Sequence, residues 1–127
     1  LIECNVTGAS DEYTAQKISK SVISSDLFKA AMFGADANWG RVLCAIGYTE
    51  GDFAVDNIDV TMSSAKGSVT VCKASEAAEY SEDKATEILS EEELVIDINM
   101  NQGEAAASAW GCDLTYDYVK INGSYRS

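Results

Sequence analysis

The sequence predicts an α+β domain built on a mixed or antiparallel sheet, with helices packed mainly on one face. Three observations carry this. Leu94, Ile96, Ile98 and Met100 alternate with polar residues, as in a half-buried strand. Trp39, Val42, Leu43 and Ile46 recur at helical spacing. Strands and helices interleave irregularly, without the regular βαβ rhythm of a doubly wound sheet.

The chain opens in alternation, with Ile2, Cys4 and Val6 on one side and Glu3, Asn5 and Thr7 on the other. A first strand follows from that period. Ser10 is placed to cap a helix, Asp11 and Glu12 suit its positive end, and Ala15, Ile18 and Val22 line one side. Ser25 or Asp26 restarts a short helix through Leu27, Ala30 and Ala31. A polar loop with Gly34 and Gly40 then feeds a third helix, capped by Asp36, burying Trp39 and ended by a left-handed Gly47. Asp36, Asn38 and Arg41 are the residues a core helix does not need.

From Thr49 the period changes to two. Ile58, Val60 and Met62 alternate with polar residues, Ser64-Ala65-Lys66-Gly67 turns the chain, and Val69 and Val71 continue the pattern, giving a hairpin with one wet face. Ser81 to Ser90 is helical through Ala85, Ile88 and Leu89, and the strand containing Leu94 follows. Ala105 to Cys112 is a further strand, small on one side so that another element packs closely, with Trp110 as its bulk. Leu114 to Ile121 reads as a last helix capped by Asp113, although it also fits an alternating pattern.

Composition narrows the function. The 127 residues carry 9 basic and 21 acidic side chains, a net charge of -12, which repels a phosphate backbone and argues against nucleic acid. No apolar run reaches the length of a membrane helix, so no membrane partner is expected and the compartment reads as cytoplasmic. With no histidine, a Ser-His or Cys-His couple is excluded within the chain. Cys4, Cys44, Cys72 and Cys112 are scattered without a C-x-x-C pair and read as buried small apolar residues, leaving no metal site. Asp97, Asn99, Asn101 and Gly103 imitate a calcium loop, but the glycine falls one position late and Ser108 stands where a bidentate glutamate is required. Glu91, Glu92 and Glu93 read as a solvated turn. Asn5-Val6-Thr7 and Asn122-Gly123-Ser124 match the short glycosylation pattern, with nothing else pointing to secretion.

Two features point beyond a bland domain. An opening inside a strand without an initiator methionine is expected of a piece of a longer polypeptide. The C-terminal stretch also concentrates orientable polar groups, with Tyr116, Tyr118 and Tyr125 among Asp117, Lys120, Asn122, Arg126 and Ser127.

The strings NVTGA at Asn5, FGADANWGR at Phe33, NQG at Asn101 and AWGCDLTYDYVKIN at Ala109, in this order, resemble the ornithine acetyltransferase (glutamate N-acetyltransferase) family of arginine biosynthesis. The resemblance covers the whole chain. Ala37, where the family more often has proline, and Ser127, where threonine is commoner, depart from it.

The resemblance implies a precursor that cleaves itself into α and β chains and exposes a threonine at the start of β. That threonine would carry the acetyl group from N-acetylornithine to glutamate, with its own amine as base and no cofactor. This chain would be the C-terminal part of β, lacking the nucleophile, so no catalytic residue is assigned within it. By position it would contribute two substrate contacts, Asn122 and Ser127. Expected partners are the α chain, the remainder of β in an α2β2 heterotetramer, and small amino-acid substrates. Residues 9–112 would form the small α+β domain, with 1–8 and 113–127 packing against the remainder. Two other readings stay open: a self-processing aminopeptidase or amidase relative, and a non-catalytic assembly domain.

Overall fold

A computed structural model describes residues 1–112. The elements run β1 Ile2–Ala9, α1 Glu12–Ser24, α2 Asp26–Phe33, α3 Trp39–Gly47, β2 Asp59–Ser64, β3 Gly67–Lys73, β4 Glu76–Ala77, α4 Glu82–Leu89, β5 Leu94–Asn99 and β6 Ala105–Gly111. The strands form one sheet in the order β4-β3-β2-β5-β1-β6. β1 and β5 are parallel, while the pairs β1–β6, β2–β5, β2–β3 and β3–β4 are antiparallel, so the sheet is mixed.

Register decides which side is dry. Cys4 lies opposite Ile96, and Ile96 opposite Met62, so the apolar residues of three adjacent strands share one face. That face meets Ile18 and Val22 of α1, Val42 and Ile46 of α3, and Ala85 and Leu89 of α4 in a single core. The other face carries Glu3, Asn5, Thr7, Asp97 and Asn99, which are half-buried or exposed. The structure is therefore the α+β arrangement the alternation predicts.

β6 shows why its inner residues are small. Ala105, Ala107 and Ala109 pack against the core. At Gly111 an added Cβ would lie 2.4 Å from Ile23 Cγ2, so α1 rests directly on the strand. Residues 1–8, expected outside the 9–112 unit, form β1 between β5 and β6 with Ile2, Cys4 and Val6 in the core. The helix predicted over 114–121 and the rest of 113–127 lie outside the described residues.

Several local expectations are corrected. Asp11, not Ser10, caps α1, its Oδ1 accepting the Thr14 N–H at 2.7 Å. A carboxylate at the positive helix end gains more than a hydroxyl, and the Thr14 hydrogen bonds hold its pKa below the usual range. Asn38, not Asp36, caps α3, with Oδ1 accepting from the Arg41 N–H at 3.3 Å. Asp36 is exposed and donates its backbone N–H to the Ala31 carbonyl instead. Trp39, the first residue of α3, is only half-buried, and the buried stripe is Val42, Ala45 and Ile46.

Gly47 stays inside the helix, which ends at Tyr48 in right-handed geometry. The left-handed residue of the preceding loop is Ala35, at φ 53°, and not a glycine. Cys4 and Cys72 are buried as expected, but Cys44 is exposed and Cys112 half-buried. Cys44 falls on the side of α3 away from Val42 and Ile46. In β3 the register shifts between Val60 and Thr61 of its partner, so Val71 and Cys72 are both buried and strict alternation fails.

Candidate functional site

Two of the motif strings meet at the carboxyl ends of the parallel strands β1 and β5. Gly8 has φ +66°, and an added Cβ would stand 2.2 Å from Asn99 Oδ1 and 2.8 Å from the Asn101 nitrogen. Gly103 is as tight, with its Cβ position 2.5 Å from the Ala9 carbonyl oxygen. Only glycine allows the NVTGA and NQG backbones to approach this closely. The contact is stitched by Met100 N–H to the Thr7 carbonyl at 2.9 Å and Gln102 N–H to the Gly8 carbonyl at 2.7 Å.

Side chains extend this junction to the β2 side. Asn99 Oδ1 accepts from the Asn101 N–H at 2.9 Å, turning the chain where Asn101 sits at φ 55°. Asn101 Nδ2 donates to the Asn57 carbonyl at 2.8 Å and to Asp59 Oδ2 at 3.1 Å. Gln102 clasps Ala54 at both ends, accepting its N–H at 3.1 Å and donating to its carbonyl at 2.6 Å. Sequence reasoning read NQG as a turn but missed Asp59 and Ala54, which lie more than forty residues away and carry no local signal.

Asp59 anchors the recess beside this junction. Burial pushes its carboxyl up, but the Ala74 N–H at 2.9 Å, the Asn101 amide and the Lys73 ammonium at 3.3 Å outweigh it and hold the pKa below the usual value. A 200 Å³ recess opens there, with Thr7, Asp59, Thr61, Thr70, Lys73 and Asp97 on its walls. Its polar groups largely answer one another: Thr61 and Thr70 hydroxyls lie 3.1 Å apart and the Thr7 hydroxyl donates to the Ile98 carbonyl at 3.3 Å.

The same open face carries a second network. Trp110 Nε1 donates to Glu3 Oε1 at 2.9 Å, Asn5 Nδ2 donates to Glu3 Oε2 at 2.9 Å and Asp97 Oδ1 at 3.0 Å, and Ser108 donates to Asn5 Oδ1 at 2.6 Å. Hydrogen bonds from Asn5 and Trp110 keep the Glu3 carboxyl below its usual pKa. The Asn5 amide of the NVT triplet is thereby fully engaged.

The central FGADANWGR string serves its own neighbourhood. Asn38 caps α3, and Arg41 Nη1 donates to the Leu27 carbonyl at 2.8 Å, tying α3 to α2. Tyr80 beside the loop has its phenol pKa raised by burial, with Glu82 and Asp36 adding to it.

These groups bind backbone and one another. Burial pushes the Cys4 thiol up to about 12, and burial together with Asp59 raises Cys72, so neither is a ready nucleophile. Hydroxyls meet a carboxylate at Asp11, where Ser10 and Thr14 surround the cap of α1. Among the described residues no group of three His, Cys, Asp or Glu side chains is placed to hold a metal. None of the described helices is long and apolar enough to cross a membrane. Asn122 and Ser127, the residues assigned to substrate, lie outside the described residues, as do Tyr116, Tyr118 and Tyr125.

Fold and junction together define a one-sided α+β domain whose motif residues lock strands and caps in place. The chain belongs to the ArgJ family, whose family model matches residues 1–127. It is 50% identical over its whole length to the arginine biosynthesis bifunctional protein ArgJ of Caldanaerobacter subterraneus subsp. tengcongensis, and covers 32% of that protein. With an ArgJ 1 protein of Clostridium acetobutylicum it shares 48% identity over its whole length, covering 31%. The crystal structure of the arginine biosynthesis bifunctional protein from Bacillus halodurans superposes with a TM-score of 0.84 at 43% identity, over 98% of this chain and 57% of that one. The chain thus spans about a third of the length of the curated relatives it matches.

Proposed function

We propose that this chain is the C-terminal part of the β chain of an acetyltransferase that moves an acetyl group from N-acetylornithine to glutamate in arginine biosynthesis. What supports the reading is the end-to-end family match at 43–50% identity, with the family strings in order along the chain. The described geometry suits a scaffold: glycines, caps and side-chain amides fix the strands, and the Cys4 and Cys72 thiols are buried.

On this reading the nucleophile is a threonine outside these residues, freed by self-cleavage of a cytoplasmic precursor. Its hydroxyl attacks the acetyl carbonyl of N-acetylornithine, its proton passes to the threonine's own amine, and ornithine leaves. The acyl-threonine then gives its acetyl group to the amine of glutamate. Asn122 and Ser127 meet the charged ends of these amino acids, since an amide both donates and accepts and a hydroxyl does likewise. The enzyme works as an α2β2 heterotetramer with no cofactor.

Acetyl transfer from N-acetylornithine to glutamate is measured with the 127-residue chain and with the full-length protein that carries it. Transfer is expected from the second alone. Turnover by the purified chain alone, or its absence from the full-length protein, overturns the proposal.

A further inference from the structure

The two edges of the sheet are protected differently. At one edge β4 has only two residues, Glu76–Ala77, following a sharp turn through Ala74 and Ser75 at φ 51° and 61°. Glu76 pairs with Lys73, so charge and brevity together blunt that edge. β6, at the other edge, runs seven residues, AAASAWG, without a charge or a proline. It pairs with β1 on one side and has no strand on the other among the described residues.

Its core-side alanines are also incompletely covered. Ala107 and Ala109 stand opposite Val6 and Cys4, which are fully buried, yet the alanines are only half-buried although they point to the core side. On the open side Trp110 is 59% exposed. A seven-residue edge without a charged side chain is a template for another strand.

We propose that the free edge of β6 is a strand-addition site, filled by an extended segment, small or apolar on its core side, from the polypeptide that ArgJ relatives have beyond the length matched here. The inference rests on the proposed function. Relatives about three times as long have polypeptide enough to provide one. A second copy is the poorer occupant, because each carries a net charge of -12 and two copies repel.

Hydrogen exchange of the β6 amides tests it, in the 127-residue chain over a range of concentrations and in the full-length protein. Alternate amides, bonded to β1, should exchange slowly in both. The intervening amides should exchange freely in the chain at every concentration and be slowed about a hundredfold or more in the full-length protein. Free exchange of those amides in the full-length protein overturns the proposal. So does protection already present in the chain alone, which dilution assigns to a second copy if it is lost and to the chain's own residues if it persists.

As a second arm, Ala106→Lys, at an exposed position of the strand, should lower the melting temperature of the full-length protein and leave that of the chain unchanged. Equal effects count against it. Acetyl transfer measured on the same full-length sample separates the two readings: transfer with free amides rejects only the edge, and protected amides without transfer reject only the enzyme assignment.

Discussion

The loop before α3 and the junction between β1 and β5 both consist of motif residues, but they hold the fold by different means. Around the loop, side chains act on nearby backbone: Asn38 accepts the N–H three residues on, and Arg41, in the first turn of α3, reaches the Leu27 carbonyl. At the junction the backbone itself does the work, with Gly8 and Gly103 pressed against Asn101 and Ala9 from distant parts of the chain. A local cap can be replaced in part by water. A backbone approach has no substitute, because a Cβ there meets main-chain atoms that cannot rotate away.

The largest effects should therefore come from the junction. Gly8→Ala combines a left-handed backbone with a collision, and Gly103→Ala places its Cβ against the Ala9 carbonyl. Each should cost about 2–4 kcal/mol by denaturant unfolding. A loss under about 0.5 kcal/mol in both would erase the distinction between junction and loop. Gly111→Ala sharpens it: the obstacle is the Ile23 side chain, which can shift, so about 1–2 kcal/mol is expected.

In the loop, Asn38→Ala should cost about 1 kcal/mol through the lost cap. Asp36→Ala, at an exposed side chain, should stay within about 0.5 kcal/mol. The reverse order in thermal melts would return the cap to Asp36.

Asp59 links the junction to pH. Its folded pKa lies below the ordinary value of 3.8, so its contribution is fully present above that value and is lost as pH falls through the folded pKa. Asp59→Asn should lower the melting temperature at neutral pH, and the gap to the unaltered protein should narrow on acidification below 3.8. A gap independent of pH would mean that its amide partners, and not its charge, matter.

What the sequence made legible follows the range of the interactions. The alternation in β1, β2, β5 and β6 and the helical stripes of α1, α3 and α4 were readable, since burial of one face imposes a local period. Even the small inner side of β6 carried its meaning, because only a close neighbour explains alanines there. Caps were misplaced by one or two residues at Ser10 and Asp36, where several capping side chains stand in a row and only backbone geometry selects one. Cys44 was misjudged because cysteine is mostly a buried residue, whereas its place on α3 faces outward. The Asp59–Asn101 and Gln102–Ala54 bonds were invisible, being set by tertiary register. Of the candidate site, the motif strings were legible as family marks, and their structural work at Gly8 and Gly103 was not.

The central claim is that residues 1–112 act as scaffold while substrate is met by the C-terminal residues. Its most direct test is Asn122→Ala in the full-length protein, with kcat/KM for N-acetylornithine and for glutamate measured beside the melting temperature. The account predicts an unchanged melting temperature and a fall in kcat/KM of roughly ten- to a hundredfold, the cost of one hydrogen bond to a charged substrate group. Unchanged kinetics for both substrates would contradict it.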